Sequence, residues 1–116
     1  MRQASLVNDV AHALHMDPTV RSRVGDRVHS TRTSAELPDI VISEIASGDT
    51  RKGFGIRVTC RAKTPDEARR IGAAVKMALS RDTAADGFRW VAVQDTSNYD
   101  SSAGAFRRVI SVETRA

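Results

Sequence analysis

The most constraining feature of the sequence is a ten-residue segment, 54–63, in which apolar and polar side chains alternate. The apolar positions are Phe54, Ile56, Val58, Cys60 and Ala62, and the positions between them are Gly55, Arg57, Thr59, Arg61 and Lys63. A period of two predicts a β-strand with one face packed on a core and the other facing solvent or a partner. Any fold for this chain must therefore include a sheet that is covered on one side.

A helix start follows this strand directly. Thr64 is suited to the N-cap position, Pro65 to the first helical position and Glu67 to the return bond of a capping box. Apolar side chains then recur at helical spacing, at Ala68, Ile71, Val75, Ala78 and Leu79. The pattern predicts a helix from Pro65 to about Arg81 with one buried stripe.

The remaining elements are predicted from the same two periodicities. Helices are expected over residues 5–16 and, after Asp17-Pro18, over a short segment that ends at Gly25. Strands are expected at Arg27–His29, Asp39–Ile45, Phe88–Gln94 and Phe106–Thr114, with a polar loop from Asp95 to Gly104. This order predicts an α+β fold: a mostly antiparallel sheet of four to five strands with two main helices packed on one face.

Composition excludes several classes of protein. The 116 residues fit a single domain, 1–116, and 18 basic against 14 acidic side chains give a formal net charge of +4. One cysteine excludes a disulfide within the chain and a cysteine-rich zinc site. With neither a secretory signal nor a stretch of about 18 apolar residues, we expect a soluble chain that makes no contact with membranes.

Candidate catalytic and metal-binding residues are few. His12 and His15 are three residues apart with Asp9 nearby, but a metal site needs at least three converging ligands, so a solvated helix face is favoured. Cys60 lies on the apolar parity of its strand, where a free cysteine acts as a small hydrophobe. No known nucleotide-binding or hydrolase motif is present. The sequence therefore predicts neither an enzyme nor a metal or other cofactor.

Arginine carries almost all of the basic charge, and its distribution leaves three interpretations open. Arg57 and Arg61 lie on the polar parity of the alternating strand, Arg51 and Lys52 precede that strand, and Arg107 and Arg108 begin the last one. Such side chains contact phosphates in some proteins. They form ion pairs between subunits in others. An ordinary solvated sheet face gives the same pattern.

Four segments of the chain, taken in order, resemble a known family. They are DPTVRSRVGDRVH, LPDIVISEI, RVTCRAKTPDEARRIGAAVKMAL and FRRVISVET, and together they extend over nearly the whole sequence. The chain resembles the tail terminator, or tail completion, proteins of long-tailed bacteriophages and gene transfer agents.

The resemblance implies a subunit that assembles with copies of itself into a ring, usually a hexamer. The ring caps the finished tail tube, ends tube polymerisation and forms the tail side of the head–tail joint. The implied partners are the tail tube protein, a head–tail connector or stopper protein and, through non-specific contact, DNA in the lumen. The implied location is the head-proximal end of the virion tail, after assembly in the host bacterial cytoplasm.

A ring subunit needs two different surfaces that fit one another. Candidate positions for such an interface are Asp49, Arg51, Lys52, Arg57, Arg61, Tyr99, Arg107 and Arg108. A small basic nucleic-acid-binding module that uses the same face is the alternative function.

Overall fold

Three helices and five strands make up the described part of the fold. The computed structural model describes residues 2–30, 36–45, 55–81 and 89–115. In chain order the elements are α1 (Arg2–Met16), α2 (Pro18–Val24), β1 (Val28–His29), β2 (Asp39–Ile45), β3 (Gly55–Ala62), α3 (Pro65–Arg81), β4 (Arg89–Asp100) and β5 (Ala105–Arg115). No helix within these ranges has the length and hydropathy needed to cross a bilayer.

All five strands belong to one sheet, in the order β1-β2-β3-β5-β4. β1 pairs with β2 in parallel, and the other three neighbouring pairs are antiparallel. The α+β class, the predominance of antiparallel pairs and the edge position of the strand near His29 are therefore confirmed.

The core lies between the sheet and the helices. Ile56, Val58, Cys60 and Ala62 of β3 are fully buried, whereas Arg57 and Lys63 on the other parity are exposed. The apolar stripe predicted for α3 is buried at all five positions, and Val10 and Leu14 of α1 are fully buried as well. Helices thus cover one face of the sheet, as the alternation in 54–63 predicts.

Capping residues place the helix starts where the sequence predicts them. The Thr64 hydroxyl accepts a hydrogen bond from the Glu67 amide at 3.1 Å, and the Ala68 amide donates to the Thr64 carbonyl at 3.2 Å. At α2, one Asp17 carboxylate oxygen accepts from the amides of Thr19 and Val20 at 2.9 and 3.0 Å. The side-chain bonds satisfy amides that the first turn of a helix leaves without a partner, and the bond to the Thr64 carbonyl is the first regular bond of α3.

The prediction of a polar loop from Asp95 to Gly104 is wrong. β4 continues to Asp100 and pairs with β5 throughout, so that only residues 101–104 form the turn. The segment has no apolar alternation because β4 is an edge strand whose side chains from Ala92 to Asn98 are exposed or half-buried on both faces. Its strand conformation comes from backbone pairing with β5 and is not marked by a buried side-chain face.

Candidate assembly interface

The open face of the sheet is the face opposite the helices. Strand register places Arg57 between Ser43 of β2 and Ser111 of β5. Two residues further along β3, Thr59 is flanked by Val41 and Val109, and beyond it Arg61 is flanked by Asp39 and Arg107. The open face is therefore polar, with arginines in two neighbouring strands.

The sequence predicts that the Arg61 side chain projects freely from this face. In the structure this side chain is instead bonded to Asp39 of β2. Its Nε donates to Asp39 Oδ1 at 2.8 Å and its terminal Nη2 to Asp39 Oδ2 at 2.7 Å. Arg61 is only 5% exposed and Asp39 is fully buried. The hydrogen bond that Arg61 donates to Asp39 is the largest cause of the raised pKa of Arg61. A bidentate pair of this kind neutralises the charge within the subunit, so Arg61 stabilises the face from within.

Arg107 borders a depression of about 130 Å³ beside this pair, together with Val41, Thr59 and Asp100. Arg107 Nε donates to Asn98 Oδ1 at 2.6 Å, and its Nη1 lies 3.9 Å from Asp100 Oδ2. Asp100 also accepts from the Ser102 hydroxyl at 2.7 Å, and this bond is the main cause of its lowered pKa. Arg107 thus ties β5 to the tip of the β4–β5 hairpin.

Arg108 points to the opposite face of β5, the helix side. Its Nε donates to Asp95 Oδ1 at 2.5 Å and its Nη1 to the Ser97 hydroxyl at 2.8 Å. Lys76 of α3 donates to the other oxygen of Asp95 at 2.6 Å. The Arg108 bond is the largest cause of the lowered pKa of Asp95. Arg108 therefore joins β5, β4 and α3, and the adjacent pair Arg107-Arg108 is divided between the two faces.

Two of the predicted interface residues remain accessible. Arg57 is exposed and has no ion pair with the part of the chain that the structure describes. Tyr99 is 53% exposed, and its ring centre lies 4.7 Å from that of Phe106, with the ring planes tilted by 53°. Tyr99 is on the helix side of β4, because it pairs with Phe106 and Phe106 packs on the core. Asp49, Arg51 and Lys52 lie outside the described residues.

A second concentration of arginine lies on the helices and is absent from the sequence-based prediction. The α2–α3 cleft, of about 290 Å³, is lined by Asp17, Thr19, Arg23, Arg69, Arg70, Ala73, Ala74, Met77 and Arg81. The signal for it was present in the sequence: Arg69, Ala73, Met77 and Arg81 follow one another at intervals of four. Such spacing places them in one row along the outer surface of α3.

His29 Nε2 lies 3.9 Å from Asp39 Oδ2, the same carboxylate oxygen that accepts from Arg61 Nη2. No three His, Cys, Asp or Glu side chains within them come together as metal ligands. Cys60 is fully buried, and burial strongly raises the pKa of its thiol, which keeps it protonated. The surfaces described above are suited to binding and assembly.

Comparison with known families agrees with this description. A family model described as "Tail completion protein gp17" matches residues 8–116. The chain belongs to the tail completion protein family. The family consists of structural virion proteins and is not an enzyme family. This protein is accordingly a structural protein of phage-type tails, and the family resemblance noted in the sequence is confirmed.

A solved structure shares the fold. The matching chain belongs to a structure titled "Virion of native gene transfer agent (GTA) particle", with a TM-score of 0.72 and 19% sequence identity. The match covers 97% of this chain and 96% of the other. No curated protein sequence matches the chain. The architecture is thus shared with a chain of a gene transfer agent particle across nearly the full length of both.

Proposed function

We propose that this protein caps the finished tail tube as a homo-oligomeric ring, a hexamer, and so ends tube polymerisation. The observation that carries the proposal is the match of the tail completion family model to residues 8–116, which leaves almost no part of the chain outside the family. The ring would stand at the head-proximal end of the tail and form the tail side of the head–tail joint.

The shape of the subunit supports closure into a ring. A closed ring needs two different surfaces on each subunit, one for each neighbour. The sheet offers unlike edges: β1 contributes two residues at one edge, and β4 contributes twelve at the other. It also offers unlike faces, one covered by helices and one polar. These unlike edges and faces supply the two different surfaces that head-to-tail contacts require.

Within this proposal the predicted interface residues divide into two groups. Arg57 and Tyr99 are accessible and would contact the next subunit directly, and so would Asp49, Arg51 and Lys52 between β2 and β3. Arg61, Arg107 and Arg108 are already bonded to Asp39, Asn98 and Asp95. Their role would be to fix the shape of the contact surface.

The proposed partners follow from the position of the ring. One ring surface would bind the tail tube protein, and the opposite surface would bind a head–tail connector or stopper protein. DNA in the lumen would make only non-specific contacts with the ring. Assembly would take place in the host bacterial cytoplasm, before the tail is joined to the head.

A nucleic-acid-binding module has less support from the structure. Three of the four described arginines that suggested it, Arg61, Arg107 and Arg108, are engaged by side chains of the same subunit. Stacking of bases on exposed aromatic side chains is a principal source of affinity for single strands. The exposed Tyr99 ring is already in contact with Phe106, which leaves less of it for stacking. Among the described residues of the alternating segment, Arg57 and Lys63 remain exposed for a phosphate contact.

The ring interface is tested with a charge reversal. We expect Arg57→Glu to lower the fraction of oligomer, measured by native mass spectrometry in the presence of tail tubes. Arg21→Glu on α2 is the matched control, because Arg21 is also exposed but lies on the helix side. An unchanged oligomer distribution for Arg57→Glu would remove Arg57 from the interface. A wild-type chain that stays monomeric on tubes would contradict the ring itself.

A further inference from the structure

The α2–α3 cleft has a cationic rim that the proposed ring contacts do not use. Four guanidinium groups from two helices border it: Arg23 from α2, and Arg69, Arg70 and Arg81 from α3. The one acidic residue in its lining is Asp17, whose carboxylate already accepts the amide bonds that cap α2. The lining therefore carries an excess of positive charge.

The carboxylates outside the cleft only partly compensate this charge. Asp66 is shared between Arg69 and Arg70, at 2.7 Å from each, and Glu67 lies 3.7 Å from Arg23. Arg81 has no ion pair with any residue in the described ranges. A guanidinium has five donors, so one shared carboxylate leaves several unused. Exposed ion pairs of this kind contribute about 0–1 kcal/mol, so an incoming carboxylate can replace them at little cost.

The lining of the cleft also has apolar side chains. Ala73 and Ala74 are small, and Met77 is 55% exposed, which makes it one of the few large apolar side chains at the described surface. An unbranched thioether adapts its shape to an incoming aliphatic side chain. Along α3 these three residues lie between Arg69 and Arg81, so the lining is complementary to a segment that carries carboxylates on both sides of one aliphatic residue.

We propose that the α2–α3 cleft binds an acidic peptide segment of another virion protein, in which carboxylates flank a single aliphatic anchor. Nucleic acid is a poorer occupant because no aromatic side chain lines the cleft for base stacking. A second copy of this chain is the other alternative occupant, and the effect of the cleft variants on self-association distinguishes it.

The binding test uses the full chain and a synthetic probe. A fluorescein-labelled peptide with two acidic residues on each side of one leucine is titrated with protein, and Kd is read from fluorescence anisotropy. We expect the double variant Arg69→Gln/Arg81→Gln to weaken binding about tenfold or more, since two charge-assisted contacts are removed. Met77→Ser should weaken it about threefold or more by removing the apolar contact. Lys63→Gln, at an exposed position directly after β3 and outside the cleft, is the matched control and should leave Kd unchanged.

Four results would overturn the proposal. The first is that a peptide with amides in place of the acids binds as tightly as the acidic peptide, and the second is that the double variant binds the acidic peptide with unchanged Kd. The third is that a single-stranded oligonucleotide binds more tightly than the acidic peptide, and the fourth is that the double variant loses self-association. The last result would make the cleft a contact between subunits. Thermal unfolding of each variant confirms that it is folded. Because oligomer mass and peptide affinity are measured separately, a failure here is distinguishable from a failure of the ring proposal.

Discussion

At the residue scale, the burial of each arginine side chain indicates its role more clearly than its position in the sequence does. The alternation in 54–63 predicts the side of β3 on which Arg61 lies. It does not reveal that Asp39, 22 residues earlier, lies directly across from it. That contact depends on the register between β2 and β3, which two strands joined by a long connection do not specify locally. The same limit applies to Arg108 and Asp95.

Removing one partner of the buried pair of Arg61 and Asp39 is expected to be strongly destabilising. Asp39→Ala leaves the Arg61 charge buried without a partner and should lower the free energy of unfolding by about 3–5 kcal/mol. Urea denaturation measures the loss. Ser43→Ala, on an exposed position of the same strand, should change it by less than about 0.5 kcal/mol. A loss below about 1 kcal/mol for Asp39→Ala would mean that the pair does not stabilise the sheet.

The bonds of Asp95 predict how the stability of the protein depends on pH in acid. Its pKa is lowered in the folded protein, chiefly by the hydrogen bond from Arg108. Its stabilising effect is therefore complete above the unfolded-state pKa of about 3.9 and is lost as pH falls through the lower folded-state pKa. Asp95→Asn should reduce stability near pH 7 by about 1 kcal/mol and flatten the decline in acid. Urea midpoints measured from pH 7 down to pH 2 test this, and curves that stay parallel would contradict it.

At the scale of elements, local signals predict the helices well and the last hairpin poorly. The starts of α2 and α3 are specified by caps within a few residues, Asp17-Pro18 and Thr64-Pro65, so the sequence locates them closely. β4 lacks such a signal after Ala92. Its polar side chains are exposed on both faces, and a bulge between Ala92 and Gln94 interrupts the regular pairing. A strand held mainly by its neighbour's backbone cannot be distinguished from a loop by composition.

The β4–β5 turn should be sensitive to its glycine. Gly104 has φ of +63°, a conformation in which a side chain is strained even though the space around it is open. Gly104→Ala should lower the free energy of unfolding by about 1–2 kcal/mol. Ser101→Ala in the same turn is the control and should change it by less than about 0.5 kcal/mol. Equal stabilities for the two variants, measured by thermal unfolding, would show that the turn relaxes without strain.

At the scale of the whole molecule, the sequence contained enough information for the class of fold and the family. The one-sided sheet and the two long helices follow from periodicity and composition, and the family model confirms the resemblance over residues 8–116. What could not be predicted is how charges distribute over the folded surface. Arg57 remains exposed on the sheet, whereas four other arginines gather at the α2–α3 cleft.

The most direct test of the account is the length of tails made without this protein. The coding sequence is deleted from the particle-producing element that carries it, and tails are measured by electron microscopy. A tube-capping ring predicts headless tails of abnormal and widely varying length, restored to a uniform length and joined to heads when the wild-type protein is supplied. Tails of normal length that are attached to heads in its absence would contradict the proposed function.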